Sequence, residues 1–165
     1  MKTNKKIFPV ITFIFILLNS YSQNPKIDSL ISKLNKSSED TIKAFLLAEL
    51  AAQYHQNDPY KALNYGKEAI VLSKKIKYKK GEAMANGNMG LIYKSLGDYA
   101  RATEYYFEAI RLYEETGVTR GVGIFLNNIG NIKKEQNRLD EALRYYIDAF
   151  PIAMHWKDSS MMANV

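Results

Sequence analysis

Histidines, cysteines, paired carboxylates and glycine-rich loops build most catalytic and metal sites, and this chain of 165 residues is thinly supplied with them. It contains no cysteine, which removes disulfides, thiolate zinc sites, cysteine nucleophiles and lipid attachment at a lipobox cysteine. The two histidines, His55 and His155, fall in separate segments without a second ligand at metal spacing. They read as surface or groove residues, and no metal or other cofactor is expected. Gly121-Val122-Gly123 opens a helical pattern but follows no strand, so it lacks the context of a dinucleotide loop. Glu114-Glu115 lies at a helix end, where solvation accounts for it. No catalytic residue is assigned, and the chain is not expected to be an enzyme.

Charge points first to nucleic acid and then away from it. The formal charge is +6 and the pI about 9.3, but Lys2, Lys5 and Lys6 stand together at the start. They precede the apolar run Ile7 to Leu18 and the small-residue stretch Asn19-Ser20-Tyr21-Ser22, the organisation of a secretory signal peptide. Twelve apolar residues are too few for a bilayer span, which needs about 20. Cleavage is expected before Gln23, with residues 1–22 lost and the charge falling to +3; an uncleaved signal anchor is the competing reading. The product is then exported to the periplasm or cell envelope, where nucleic acid is not the expected partner. A second cluster, Lys74, Lys75, Lys77, Lys79 and Lys80, spans a helix end, where cations complement the helix dipole. Contact with an anionic envelope surface is the alternative for it.

Hydrophobic residues make up 47% and charged residues 24%, a globular balance, and the apolar positions recur at helical spacing with no strand-type alternation. A repeat of 40 residues organises them. Asn88, Gly90, Ile92, Lys94, Ala102, Tyr105, Tyr106 and Ala109 reappear as Asn128, Gly130, Ile132, Lys134, Ala142, Tyr145, Tyr146 and Ala149. Upstream, Ala62, Tyr65, Glu68, Ala69, Ile70 and Leu72 match Ala102, Tyr105, Glu108, Ala109, Ile110 and Leu112, while Leu50-Ala51 and Tyr54 match Met89-Gly90 and Tyr93 one residue short. The spacing predicts helices over about 40–56, 59–76, 80–96, 99–115, 119–136 and 139–155. Asp58-Pro59 and Gly97-Asp98 supply caps between them, with Asn137 in place of the glycine in the last unit. Ala62 and Ala69, Ala102 and Ala109, and Ala142 and Ala149 each share a helical face and are expected to let helices approach closely. Gly90 and Gly130 sit mid-helix, where glycine costs about 1 kcal/mol against alanine, so close packing is the reason to keep them. Tyr105, Tyr106, Tyr145 and Tyr146 fall in the packing register and are assigned to the core. Pro151 is expected to kink or end its helix near Phe150.

The pattern of Leu/Met/Ile, Gly/Ala and Tyr, followed by a glycine turn and then alanine, aromatic and alanine, resembles the tetratricopeptide repeat (TPR) family over about residues 40–156. Departures are Lys133 in an aromatic position, Gly66 where Tyr106 and Tyr146 stand, and Glu114 and Met154 where the family often has proline. The resemblance implies an all-α fold, a right-handed α-solenoid of antiparallel helix pairs. The chain then divides into the signal peptide 1–22, a lead-in segment 23–39, three helix pairs (about 40–78, 79–118 and 119–156) and, from 157 to 165, the start of a truncated fourth repeat, since Asp158 to Val165 aligns with Val118 to Phe125.

The resemblance also implies that the first helix of each pair lines a concave groove. Its positions map to Phe45, Ala48, Glu49, Ala52 and His55, to Met84, Gly87, Asn88, Leu91 and Lys94, and to Ile124, Asn127, Asn128, Asn131 and Lys134. The basic clamp by which chaperone-binding relatives hold terminal carboxylates is missing, because Ala48, Ala52 and Ile124 take its places. Asparagine donates and accepts at once, so Asn88 and Asn128, expected to face outward, together with Asn127 and Asn131, form a candidate ladder for the backbone of an extended peptide. A solvated polar groove is the competing reading. The order of signal peptide, lead-in and repeats is similar to the N-terminal periplasmic sensor regions of bacterial TPR-containing histidine kinases and regulators. That likeness implies a protein- or peptide-binding input region of a larger signalling protein, with any membrane contact made through another part of it or through the signal peptide. A stand-alone envelope scaffold is the alternative.

Overall fold

The computed structural model describes residues 24–157. The expected signal peptide and the residues from Asp158 onward lie outside this range. The described residues form seven helices in chain order and no strand: α1 Pro25–Leu34, α2 Thr41–Tyr54, α3 Pro59–Lys75, α4 Lys79–Ser95, α5 Tyr99–Glu115, α6 Thr119–Glu135 and α7 Leu139–Trp156. Each packs on the next in sequence, and α2 also packs on α4, so α2/α3, α4/α5 and α6/α7 stack as hairpins in an all-α solenoid.

The turn chemistry sets this order. Lys77, Gly97, Gly117, Asn137 and Lys157 all have positive φ, one every 20 residues, and each of their N–H groups donates to the carbonyl three residues back. The Asn137 substitution is tolerated because asparagine enters the left-handed region more easily than other side chains. Between α2 and α3 no such residue occurs, and this is the position missing where the first unit runs one residue short. Helix starts are capped as expected at Asp58, which accepts from the Lys61 N–H at 3.0 Å, and at Asp98, which accepts from the Arg101 N–H at 3.0 Å.

The alanine stripes Ala62/Ala69, Ala102/Ala109 and Ala142/Ala149 are all buried. A Cβ on Gly90 would lie 2.6 Å from the Tyr106 ring and one on Gly130 2.5 Å from the Tyr146 ring, so the bare backbone is the seat of each tyrosine. In the first hairpin Ala51 and Gly66 leave that space to Met89 from the following unit, whose sulfur sits 2.5 Å from where a Gly66 Cβ would be. Gly66 is therefore no defect: the next repeat supplies the missing bulk.

The structure adds one element and narrows one expectation. The lead-in contains α1, capped by Asn24 and opened by Pro25, and it buries Ile27 and Leu30 against Leu46 and Leu50. Ile27, Leu30, Ile31 and Leu34 have helical spacing, a signal outside the 40-residue register and therefore not assigned. This helix explains why α2 buries residues around most of its circumference: Ala44, Leu46, Leu47, Ala48, Leu50 and Ala51 meet α1, α3 and α4. Second, α7 does not end near Phe150 but runs through Pro151 to Trp156. Pro151 is exposed, so the carbonyl it leaves unpaired is on the solvent side, while Ala149 and Ala153 carry the buried stripe past it.

Candidate binding face

The first helices α2, α4 and α6 form a row, held by side chains that cross from one helix to the next. The Asn88 amide donates from Nδ2 to the Ala48 carbonyl at 2.8 Å, joining α4 to α2. Lys94 pairs with Glu135 at 3.1 Å, joining α4 to α6, and the Tyr99 hydroxyl bonds the same carboxylate.

These contacts change the roles expected of the groove residues. Asn88 is half-buried and spends one donor on tying repeats together, so it does not simply face outward. Ala48 and Gly87 are buried, Gly87 beneath the Phe125 ring, and neither lines an open surface. Asn131 accepts at Oδ1 from the Tyr146 hydroxyl at 2.8 Å, which leaves its amide N–H groups. Asn127, Asn128 and Leu91 are half-buried, Lys134 is exposed, and Phe45 and Ile124 present apolar side chains on the same row. The face therefore offers the Asn88 carbonyl oxygen and second N–H, the Asn131 N–H groups and the Asn128 amide, between apolar contacts at Phe45, Leu91 and Ile124. Such a set suits a main chain, whose donors and acceptors alternate, better than a charged ligand.

Side chains singled out for other chemistry have structural partners. The His55 Nδ1 lies 2.6 Å from the Ala52 carbonyl at the end of α2, and His155 meets the Trp156 ring edge-on. Gly121 lies in α6 against the Tyr113 ring. Glu115 pairs with Lys79 at 2.9 Å and with Arg111, which, with the hydrogen bond from Lys79 as the main cause, holds its carboxyl below the ordinary range. In the lysine cluster, Lys74 and Lys75 do occupy the last turn of α3, and they also reach Glu82 and Glu39.

Sequence reading had no account of Lys133 and missed its partner. In the second hairpin Tyr93 stacks on Tyr105 at 5.3 Å with the Arg101 guanidinium 4.5 Å from its ring, and Tyr54, Tyr65 and Lys61 repeat the device upstream. In the third, Lys133 replaces the tyrosine and Glu141 replaces the arginine, and the two pair at 3.7 Å. The freed Tyr145 turns to Phe107 on α5, ring centroids 6.4 Å apart. The exchange of both partners at a spacing of eight residues is the signal that would have revealed it.

Residues 81–155 match the tetratricopeptide repeat family model. Together with the stacked hairpins, this match fits an all-α solenoid built from helix pairs. Among solved structures, the chain is similar to a Rap protein crystallised in complex with competence and sporulation factor, with a TM-score of 0.71 and 20% identity over 81% of this chain and 37% of that one. It is also similar to BtubC (BKLC) from P. vanneervenii, with a TM-score of 0.66 and 20% identity over 78% of this chain and 56% of that one. The chain thus spans between about a third and just over half of the length of these structures. A search of curated proteins returns no significant match.

Proposed function

We propose that the chain is a protein- or peptide-binding scaffold that holds an extended segment along the row α2, α4 and α6. The observation that carries this reading is the set of unspent main-chain-like donors and acceptors on Asn88, Asn128 and Asn131, framed by Phe45, Leu91 and Ile124. The Rap protein of similar fold was crystallised with a bound factor, which supports a binding role. The test is titration of peptides captured from cell-envelope extract against the parent chain and the Asn128→Ala variant. Loss of one or two neutral hydrogen bonds, each about 0.5–1.5 kcal/mol, weakens binding by between about twofold and about 150-fold; equal affinity removes Asn128 from the site.

Export to the periplasm or envelope, and service as the input region of a larger signalling protein, complete the proposal. Export is supported by the order of lysines, apolar run and small residues in 1–22. Cleavage before Gln23 would leave Asn24, the cap of α1, and the whole described fold intact. Among the described residues no helix is long and apolar enough to cross a membrane. N-terminal sequencing of the exported protein checks cleavage, and a secreted form that begins at Met1 counts against it. The alternative, an envelope scaffold without signalling output, is separated from the sensor by whether coding sequence downstream of Val165 specifies an output domain.

A further inference from the structure

Leu139, Leu143, Ile147, Phe150 and Met154 follow one another on α7 at steps of four, four, three and four residues and so share one face of the helix. Each is between 37% and 59% exposed, and together they form an apolar stripe from the first turn of α7 almost to its end. A different stripe, Ala142, Tyr146, Ala149 and Ala153, packs into the molecule. One flank of the bare stripe is polar: Asp140, Arg144, Asp148 and His155 are all exposed. Arg138 and Glu141 pair with each other at the start of the helix, whereas Asp140, Arg144 and Asp148 form no ion pair among the described residues.

The stripe complements itself when reversed. About a twofold axis near Ile147, an antiparallel copy of α7 sets Leu139 opposite Met154, Leu143 opposite Phe150 and Ile147 opposite itself, so that large apolar side chains meet in every layer. The same register sets Arg144 opposite Asp148 of the partner subunit and Asp140 opposite His155 of the partner subunit, each twice over, with no like charges facing. A parallel copy would instead set arginine on arginine and aspartate on aspartate. Five side chains about half bare on each of two copies bury area on the order of the 1,000 Å² that a specific interface requires.

From this complementarity we infer that the α7 face is a homodimer interface, in which two copies of the chain pack antiparallel through Leu139, Leu143, Ile147, Phe150 and Met154 and are held in register by Arg144 and Asp148. The inference does not depend on the peptide-binding reading, because α2, α4 and α6 carry that row and α7 is not part of it.

The test is sedimentation equilibrium of the full chain and of Ile147→Glu, with circular dichroism as the check on folding. The parent should be a dimer at micromolar concentration, and Ile147→Glu a monomer of unchanged helicity. Arg144→Asp and Asp148→Arg, each alone, set like charges opposite each other and should weaken dimerisation at least tenfold. An equimolar mixture of the two should recover it, since every pair across the interface then joins opposite charges. The chain has no cysteine, so Ile147→Cys adds a lone thiol that should oxidise to a disulfide between copies. Leu139→Cys, held about 20 Å or more from its counterpart by the rise of the helix, should not. A monomeric parent, or a dimer that survives Ile147→Glu, overturns the proposal. So does a mixture of the charge variants that associates no better than either alone, or a disulfide that forms as readily from Leu139→Cys as from Ile147→Cys.

Discussion

The buried tyrosines show how one hydrogen bond separates two otherwise equivalent residues. Tyr106 and Tyr146 occupy the same position in successive repeats, but the Tyr146 hydroxyl donates to Asn131, whereas the residue matching Asn131 in the earlier unit is Leu91. The Tyr106 hydroxyl is accordingly buried without a partner. Tyr146→Phe should therefore cost about 0.5–1.5 kcal/mol, while Tyr106→Phe should be neutral or stabilising, since it removes a desolvated group; paired urea titrations read the difference. Burial, with the Glu135 carboxylate adding to it, holds the Tyr106 phenol well above the ordinary tyrosine value. A raised folded-state value means that its contribution is complete below about pH 10 and declines as the pH rises and the unfolded chain ionises. Tyr106→Phe should flatten the fall of the urea midpoint between about pH 10 and 11, and an unchanged slope would argue against the assignment. At Lys133 and Glu141, rebuilding the upstream device by Lys133→Tyr with Glu141→Arg should give a double variant more stable than the sum of the single variants predicts. Additive melting shifts would show that the two positions are uncoupled.

Helix against helix, close approach outweighs local propensity. Alanine is a better helix former than glycine by about 1 kcal/mol, yet Gly90→Ala places a methyl 2.6 Å from the Tyr106 ring, which Phe125 backs at 5.5 Å between centroids. The net effect expected is destabilisation by about 1–3 kcal/mol, as for other overpacked cores, and a rise in melting temperature would refute the account. Ala102→Leu should behave alike, because Ala102 has no exposed surface. Asn88→Ala tests the joint between hairpins. Its bond to the Ala48 carbonyl predicts a stability loss of about 0.5–1.5 kcal/mol even without ligand. Asn128→Ala, in which no such loss is expected, is the cleaner probe of binding.

Across the whole molecule, a stacked array unfolds from its weakest end, and α1 guards one of them. Leu30→Asp buries an unpaired charge against Leu46 and Leu50 and should release α1. Hydrogen exchange should then rise first in α2 and α3 and leave α6 and α7 protected; uniform loss along the chain would mean that the array melts as one unit. The fold class was legible because a 40-residue recurrence of alanine, glycine and tyrosine is a statement about packing, repeated until chance is excluded. Helix α1 was less legible because it occurs once, outside that register, and of the two outcomes expected at Pro151 the structure excludes the ending, because its exposed side lets the helix continue to Trp156. The groove was legible as a row of positions but not as a surface. Spacing places Asn88, Asn128 and Asn131 on first helices; only the stacking of neighbours decides that Asn88 reaches the Ala48 carbonyl, that Asn131 receives the Tyr146 hydroxyl, and that Ala48 and Gly87 are covered. By itself, then, the sequence determined the six helices of the repeats, their turns and the small residues between them, because those follow from short-range patterns that recur along the chain. The tertiary structure decided which polar groups remain unspent, because a hydrogen bond between repeats depends on distances that no spacing along the chain encodes.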